Sequence, residues 1–257
     1  MNEKPFILVT NDDGIAAPGI HHLVQSLQPF GEVVVVAPDT EKSAVGHAIT
    51  LSDPLRVTNF NKNGEWQGYA VSGTPADCVK IAVGALLPRR PDLVVSGINL
   101  GSNAGINVIY SGTVSAATEG TILGIPSVAI SLTTYTDPYF DTAGRFAVKI
   151  AHLVLKKGLP PRTLLNVNIP NVPEEEIRGV RITRQGMANF AEFFDKRVDP
   201  RNRVYYWMDG KKEDLPESDD VDDVAIRQKY ISITPIKYDL TNYEFIPGLQ
   251  DWLQELT

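Results

Sequence analysis

Two adjacent carboxylates and a glycine, Asp12-Asp13-Gly14, close the apolar run Phe6-Ile7-Leu8-Val9. Neighbouring carboxylates disfavour each other's ionisation unless a positive partner joins them. The nearest lysine in sequence, Lys4, stands at the far end of the run. A hard divalent cation would supply the missing charge, because such ions take carboxylate oxygens as ligands. The simpler alternative is an Asx turn that caps the next helix, since Asn, Asp and Gly are turn residues in their own right. Other residues bear on the choice. Ser43 follows the run Val33–Pro38, and Asn99 follows Leu93-Val94-Val95. With Asp12 and Asp13 they would make an all-oxygen, incomplete shell suited to Mg²⁺, Mn²⁺ or Ca²⁺, with water completing it. Tyr110-Ser111-Gly112-Thr113 precedes a helical segment and offers hydroxyls and free N–H groups to an anion. Ordinary N-capping by Ser111 or Thr113 explains the same residues.

Competing chemistries lose support. Neither a Gly-Lys-Ser/Thr phosphate loop nor a Gly-x-Gly-x-x-Gly turn follows the first run, which argues against nucleoside-triphosphate and dinucleotide binding. No Ser-His-Asp arrangement is evident. His47 is the one histidine close to the shared edge; His21, His22 and His152 read as helix-surface or packing residues.

For these side chains to meet, the runs before them must be parallel strands whose carboxyl ends share one sheet edge, where open α/β folds bind ligands. The runs are apolar and β-branched, as strands buried on both faces are. Ile20, Leu23, Val24 and Leu27 recur at helical spacing between the first two, so the chain opens as β-α-β with a right-handed crossover. Short runs around Asn61-Lys62-Asn63-Gly64 read as a hairpin excursion. Thr74-Pro75 starts a helix through about Leu87, and further helices are expected over 113–120 and 139–157. Strands are expected at 125–131, 164–170 and 231–236, and a short helix near 249–256. The stretches 180–183 and 203–208 alternate as half-exposed antiparallel strands do. The acidic run 213–223 reads as a solvated loop, and Asp222-Asp223 lacks the setting of Asp12-Asp13. The expected fold is α/β: a Rossmann-like, mostly parallel sheet flanked by helices, with a C-terminal β-hairpin and helix extension. Residues 1–180 form the Rossmann-like α/β region, and 181–257 a C-terminal extension within the same domain.

The 257 residues can bury a substantial core, and 43% hydrophobic with 21% charged residues is ordinary for a globular protein. A net charge of −7 argues against a stable nucleic-acid partner, whose phosphates call for Lys and Arg. The single cysteine, Cys78, excludes an intrachain disulfide and suits a reducing compartment. No apolar run reaches membrane-spanning length and no secretion signal is visible, so a cytoplasmic protein without a membrane partner is expected.

The blocks Thr10–Gly14, Ala37-Pro38 through Ser43 to His47, Ser72–Asp77, Ser96–Gly101 and Tyr110–Thr113 together resemble the SurE family of survival proteins. The match covers about the first 130 residues closely. The resemblance implies a metal-dependent phosphatase acting on nucleoside monophosphates, a 5'-nucleotidase with 3'-nucleotidase and exopolyphosphatase activity in some members. It implies one divalent cation per subunit on Asp12, Asp13, Ser43 and Asn99, and a homodimer or homotetramer assembled through C-terminal elements. Asp12 and Asp13 are then the catalytic residues, with phosphate held by Ser111, Gly112 and Thr113, helped by Asn103. An aspartyl-phosphate on Asp12 or Asp13 is the less favoured route, because a carboxylate held on a cation is a poorer nucleophile. Two other readings use the same residues: a metal-dependent nucleotide-binding module without turnover, and an assembly protein whose Asp pair merely caps a helix. The aromatics of 190–194 and 205–207 could stack on a base, serve an interface or pack in the core.

Overall fold

The computed structural model describes residues 4–187, 190–212 and 218–256. Its centre is β1 (Phe6–Thr10), buried along its whole length. It pairs in parallel with β2 (Glu32–Pro38) on one side and β5 (Leu93–Leu100) on the other. The hairpin of β3 (Val57–Lys62) and β4 (Trp66–Val71) is not an excursion: β4 lies parallel to β2 and carries β3 to the sheet edge. Beyond β5 follow β6 (Ser127–Leu132), β7 (Thr163–Ile169), β11 (Tyr230–Lys237) and β8 (Gly179–Ile182), giving the order β3-β4-β2-β1-β5-β6-β7-β11-β8. Six central strands run parallel; β3 at one end, and β11 with β8 at the other, run against them.

Period-two alternation assigns each strand's side chains to two layers. Ile7 and Val9 meet α1 (Pro18–Leu27) and α5 (Phe140–Lys157) through Leu23, Leu27, Ala147 and Ile150. Leu8 faces the opposite layer, with Cys78 and Val79 of α2 (Pro75–Ile81) and Ala116 of α4 (Gly112–Ile122), which follows the single turn α3 (Asn107–Tyr110). A single turn of π-helix, Ala82–Leu86, continues α2. Cys78 is fully buried, and burial pushes its thiol well above the usual range, so it is a packing residue. Almost every residue of α4 is buried, and small side chains permit it: the hydroxyls of Ser115, Thr118 and Thr121 turn back on carbonyls one turn earlier.

The C-terminal part departs from expectation in two places. β8 was expected to pair antiparallel, but its neighbour β11 runs beside it in parallel. In the main sheet β11 itself lies between β7 and β8. Only β9 (Phe190–Val198) and β10 (Val204–Lys212) stand apart, as a two-stranded antiparallel hairpin. The acidic run is not a continuous solvated loop. Ser218, Asp219 and Asp220 are exposed, but Asp222 and Asp223 are buried and open the short helix α6 (Asp222–Arg227); residues 213–217 lie outside the described ones. The Asp222 carboxylate is tolerated inside because it accepts backbone N–H groups from Gly105, Gly186 and Asp223. The chain closes with α7 (Ile246–Leu256).

Candidate active site

The site lies where β1, β2 and β5 end. Asn11 donates its side-chain N–H to the Gly14 carbonyl at 2.9 Å and turns the chain, which leaves Asp12 only 4% exposed. Thr113, in the first turn of α4, donates its hydroxyl to Asp12 Oδ1. Gly112 makes this approach possible, because a Cβ there would stand 2.7 Å from the Asp12 Cβ. Burial raises the Asp12 carboxyl, opposed by the Thr113 hydroxyl and by the N–H groups of Thr113 and Gly112. Burial, then the charges of Asp12 and Glu41, push Asp13 up to about 7. Two carboxylates are thus crowded, and the charge of one opposes ionisation of the other.

Ser43 arrives on the loop after β2, and four contacts fasten that loop. The Lys42 N–H bonds the Asp12 carbonyl at 2.7 Å and the Gly46 N–H bonds the Tyr110 carbonyl at 3.0 Å. His47 Nε2 lies 2.9 Å from Glu119 Oε2, while Lys80 Nζ donates to Glu119 Oε1 at 2.7 Å. Asp77 accepts both the N–H and the hydroxyl of Thr50. Burial alone would raise Glu119, but His47 and Lys80 outweigh it and hold the carboxyl below its ordinary value. The Ser43 hydroxyl itself is exposed and donates to Glu41 at 2.7 Å.

Asn99 lies just past a slip in register between β5 and β6. Its amide N–H bonds the Gly101 carbonyl at 2.8 Å. Asn103 is held on all sides. Its N–H reaches Asn168 Oδ1 and its amide reaches the Ser131 hydroxyl, both at 2.8 Å, while its carbonyl accepts from Asn166 and Asn168. Asp222 and Gln185 grip the same loop two residues on, at Gly105.

These elements enclose a pocket of about 630 Å³. Asp12, Ser43, Asn99, Asn103 and Ser111 line it, together with Ile106, Tyr110, Tyr135, Glu192 and Met208. Asp13, Gly112 and Thr113 are not among the residues that line it, and the Thr113 hydroxyl is committed to Asp12. Of the hairpin aromatics named from the sequence, Phe193, Phe194, Tyr205, Tyr206 and Trp207 do not line the pocket. The fastening residues Glu119, Asp77 and Asp222 escaped the sequence reading. One signal was available for the Asn103 network: Asn166 and Asn168 alternate with apolar residues on β7 and are both fully buried. Among the described residues no three His, Cys, Asp or Glu side chains group around a metal position. A cation here would rest on two carboxylates, a hydroxyl and an amide oxygen, a donor set that fits a hard ion with water filling its shell.

Comparison with known proteins gives one answer. Residues 7–192 match the model of the family described as Survival protein SurE. The 5'-nucleotidase SurE of Syntrophobacter fumaroxidans is 51% identical over 96% of this chain and 98% of its own length. That of Syntrophus aciditrophicus is also 51% identical, over 97% of this chain and 94% of its own. The crystal structure of the SurE protein from Aquifex aeolicus superposes with a TM-score of 0.84 at 41% identity, covering 97% of this chain and 100% of that one. By sequence and by fold, the chain belongs to the SurE family of survival proteins.

Proposed function

We propose that the chain is a metal-dependent 5'-nucleotidase that hydrolyses nucleoside monophosphates to nucleoside and inorganic phosphate, the activity for which its relatives are named. The observation that carries the reading is the crowding of buried Asp12 and half-buried Asp13 beside the N-terminus of α4. Asp12, Asp13, Ser43 and Asn99 would hold one divalent cation, Mg²⁺ or Mn²⁺, per subunit. When bound, such an ion balances the carboxylates, polarises a phosphoryl oxygen and lowers the pKa of a water.

The protein's own groups do the rest. Asn103 and Ser111 face the pocket and would bind the phosphoryl oxygens, with the first turn of α4 at Gly112 and Thr113 adding its positive end. Thr113 fixes which Asp12 oxygen faces outward. Water attacks phosphorus, the P–O bond to the nucleoside breaks, and the departing oxygen takes up a proton. Attack by Asp12 instead is disfavoured, because Thr113 already engages one oxygen of its carboxylate.

Nucleoside monophosphate is the working partner. The aromatic faces exposed on β9, β10 and α7 support a homodimer or homotetramer. Among the described residues no helix is long and apolar enough to cross a membrane, and a free buried cysteine suits a cytoplasmic setting. The test is phosphate release from AMP with Mn²⁺ or Mg²⁺ against EDTA. Turnover with either metal and none with EDTA is expected. No turnover with any metal would falsify the assignment and leave a nucleotide-binding module.

A further inference from the structure

We propose that Tyr135 is the platform on which the base of the nucleoside monophosphate stacks, an inference that deepens the nucleotidase reading and rests on it. Tyr135 lies in the polar bend after β6, Thr133-Thr134-Tyr135-Thr136-Asp137. The bend is stiffened around it. The Thr134 hydroxyl accepts from the Thr136 N–H at 3.0 Å and donates to the Thr136 carbonyl at 2.6 Å, and the Thr133 N–H bonds the Ile169 carbonyl at 2.9 Å.

The ring lies flat against Gly101. A Cβ on that glycine would fall 2.7–2.8 Å from the Tyr135 Oη, Cε1 and Cζ atoms. Gly101 also has φ +104°, so the position calls for glycine twice over: for its backbone and for the ring beside it. With one side backed by the chain, Tyr135 remains 82% exposed, an aromatic surface that lines the pocket. The Gly101 carbonyl beneath it receives the Asn99 amide at 2.8 Å, so the platform is anchored to the backbone that positions a predicted metal ligand.

The pocket supports this division of labour. A phosphate needs only the polar side formed by Asp12, Asn103 and Ser111, yet the cavity of about 630 Å³ is large enough for a whole mononucleotide. Tyr110, the other aromatic lining residue, directly precedes Ser111 and so belongs to the phosphate end. Tyr135 lines the pocket beside Gly101. Every base has a π-face, so stacking here tolerates all four bases and confers preference for a nucleotide over a base-free phosphomonoester.

The test compares AMP with ribose 5-phosphate, which keeps the phosphomonoester and lacks the base. Equilibrium binding by calorimetry and steady-state kinetics are measured on the full chain with Mn²⁺, for wild type, Tyr135→Ala and Tyr135→Phe. Wild type should bind AMP more tightly than ribose 5-phosphate. Tyr135→Ala should lower that preference by roughly five- to a hundredfold, through KM rather than kcat, and Tyr135→Phe should restore it. Equal affinity of wild type for the two ligands overturns the proposal. So does a Tyr135→Ala change that weakens both ligands alike, or a Phe variant no better than Ala. The nucleotidase reading fails separately: preferential AMP binding with no phosphate release would refute turnover and leave the platform standing.

Discussion

Two regions of this molecule invert the usual rule for burial, in opposite senses. At the carboxyl ends of β1, β5, β6 and β7 the interior is polar: Asp12, Asn99, Asn103, Thr113, Ser131, Asn166 and Asn168 are all buried. On the hairpin β9–β10 and on α7 the exterior is apolar. Phe194 is 64% exposed, Trp207 57%, Met208 64% and Trp252 57%. Burying polar groups is costly unless each finds a partner, and here the partners are largely other side chains and loop backbone of the same cluster. The arrangement keeps Asp12 and Asp13 crowded where a cation can join them. Leaving large aromatics in water is equally unfavourable, and it persists where a second surface covers them. The first region gathers polar groups around a pocket; the second presents aromatic faces that, in the assembly we propose, another subunit covers. They meet at Glu192, Met208, Asp209 and Gly210, where the hairpin forms one wall of the pocket.

The largest effect that would sharpen this contrast is Asp12→Asn. Turnover of AMP should fall by roughly a hundredfold or more, since groups bound to or orienting a catalytic metal carry effects of that order. The melting temperature of the metal-free protein should not fall, because the substitution removes a buried charge that burial already disfavours. A marked loss of metal-free stability would show that the Asp pair is structural. Next comes the pair Phe194→Ser and Trp207→Ser. Light scattering should report a smaller assembly, while the Mn²⁺-induced rise in melting temperature survives. An unchanged mass would break the assignment of the hairpin as an assembly face.

The smallest expected effect concerns the loop that carries Ser43. The folded-state carboxyl of Glu119 sits below its unfolded value, so its contribution to stability is complete above the ordinary Glu value of about 4.3 and is lost as pH falls through the lower folded value. Glu119→Gln should flatten the acid limb of the stability curve below that pH. If unfolding curves of the two proteins run parallel from pH 5 downward, the His47–Glu119–Lys80 contact contributes nothing to holding the loop.

Much of the site was legible from local pattern. A β-branched run ending in Asn-Asp-Asp-Gly announces a buried strand and its turn, and three such units in succession imply one shared edge. What stayed hidden was the set of partners. Glu119 lies 72 residues from His47, and Asp222 lies 117 from Gly105. Neither pairing leaves a periodic trace, and Asp222 sits in an acidic run that reads as solvated surface. Tyr135 was passed over for a related reason: an aromatic in a polar bend carries no mark of which cavity it will border, whereas the aromatic-rich hairpin drew attention that its pocket-facing residues do not bear out.

Sequence alone determined the strands, the helices between them and the oxygen-bearing residues at the strand ends, because alternation, capping and turn chemistry act within a few residues. Tertiary structure alone decided that β11 inserts between β7 and β8, that Thr113 and Gly112 close on Asp12, and that Asp222 is buried. Those outcomes depend on which distant groups satisfy one another's hydrogen bonds once water is excluded, and that is settled only when the whole sheet is assembled.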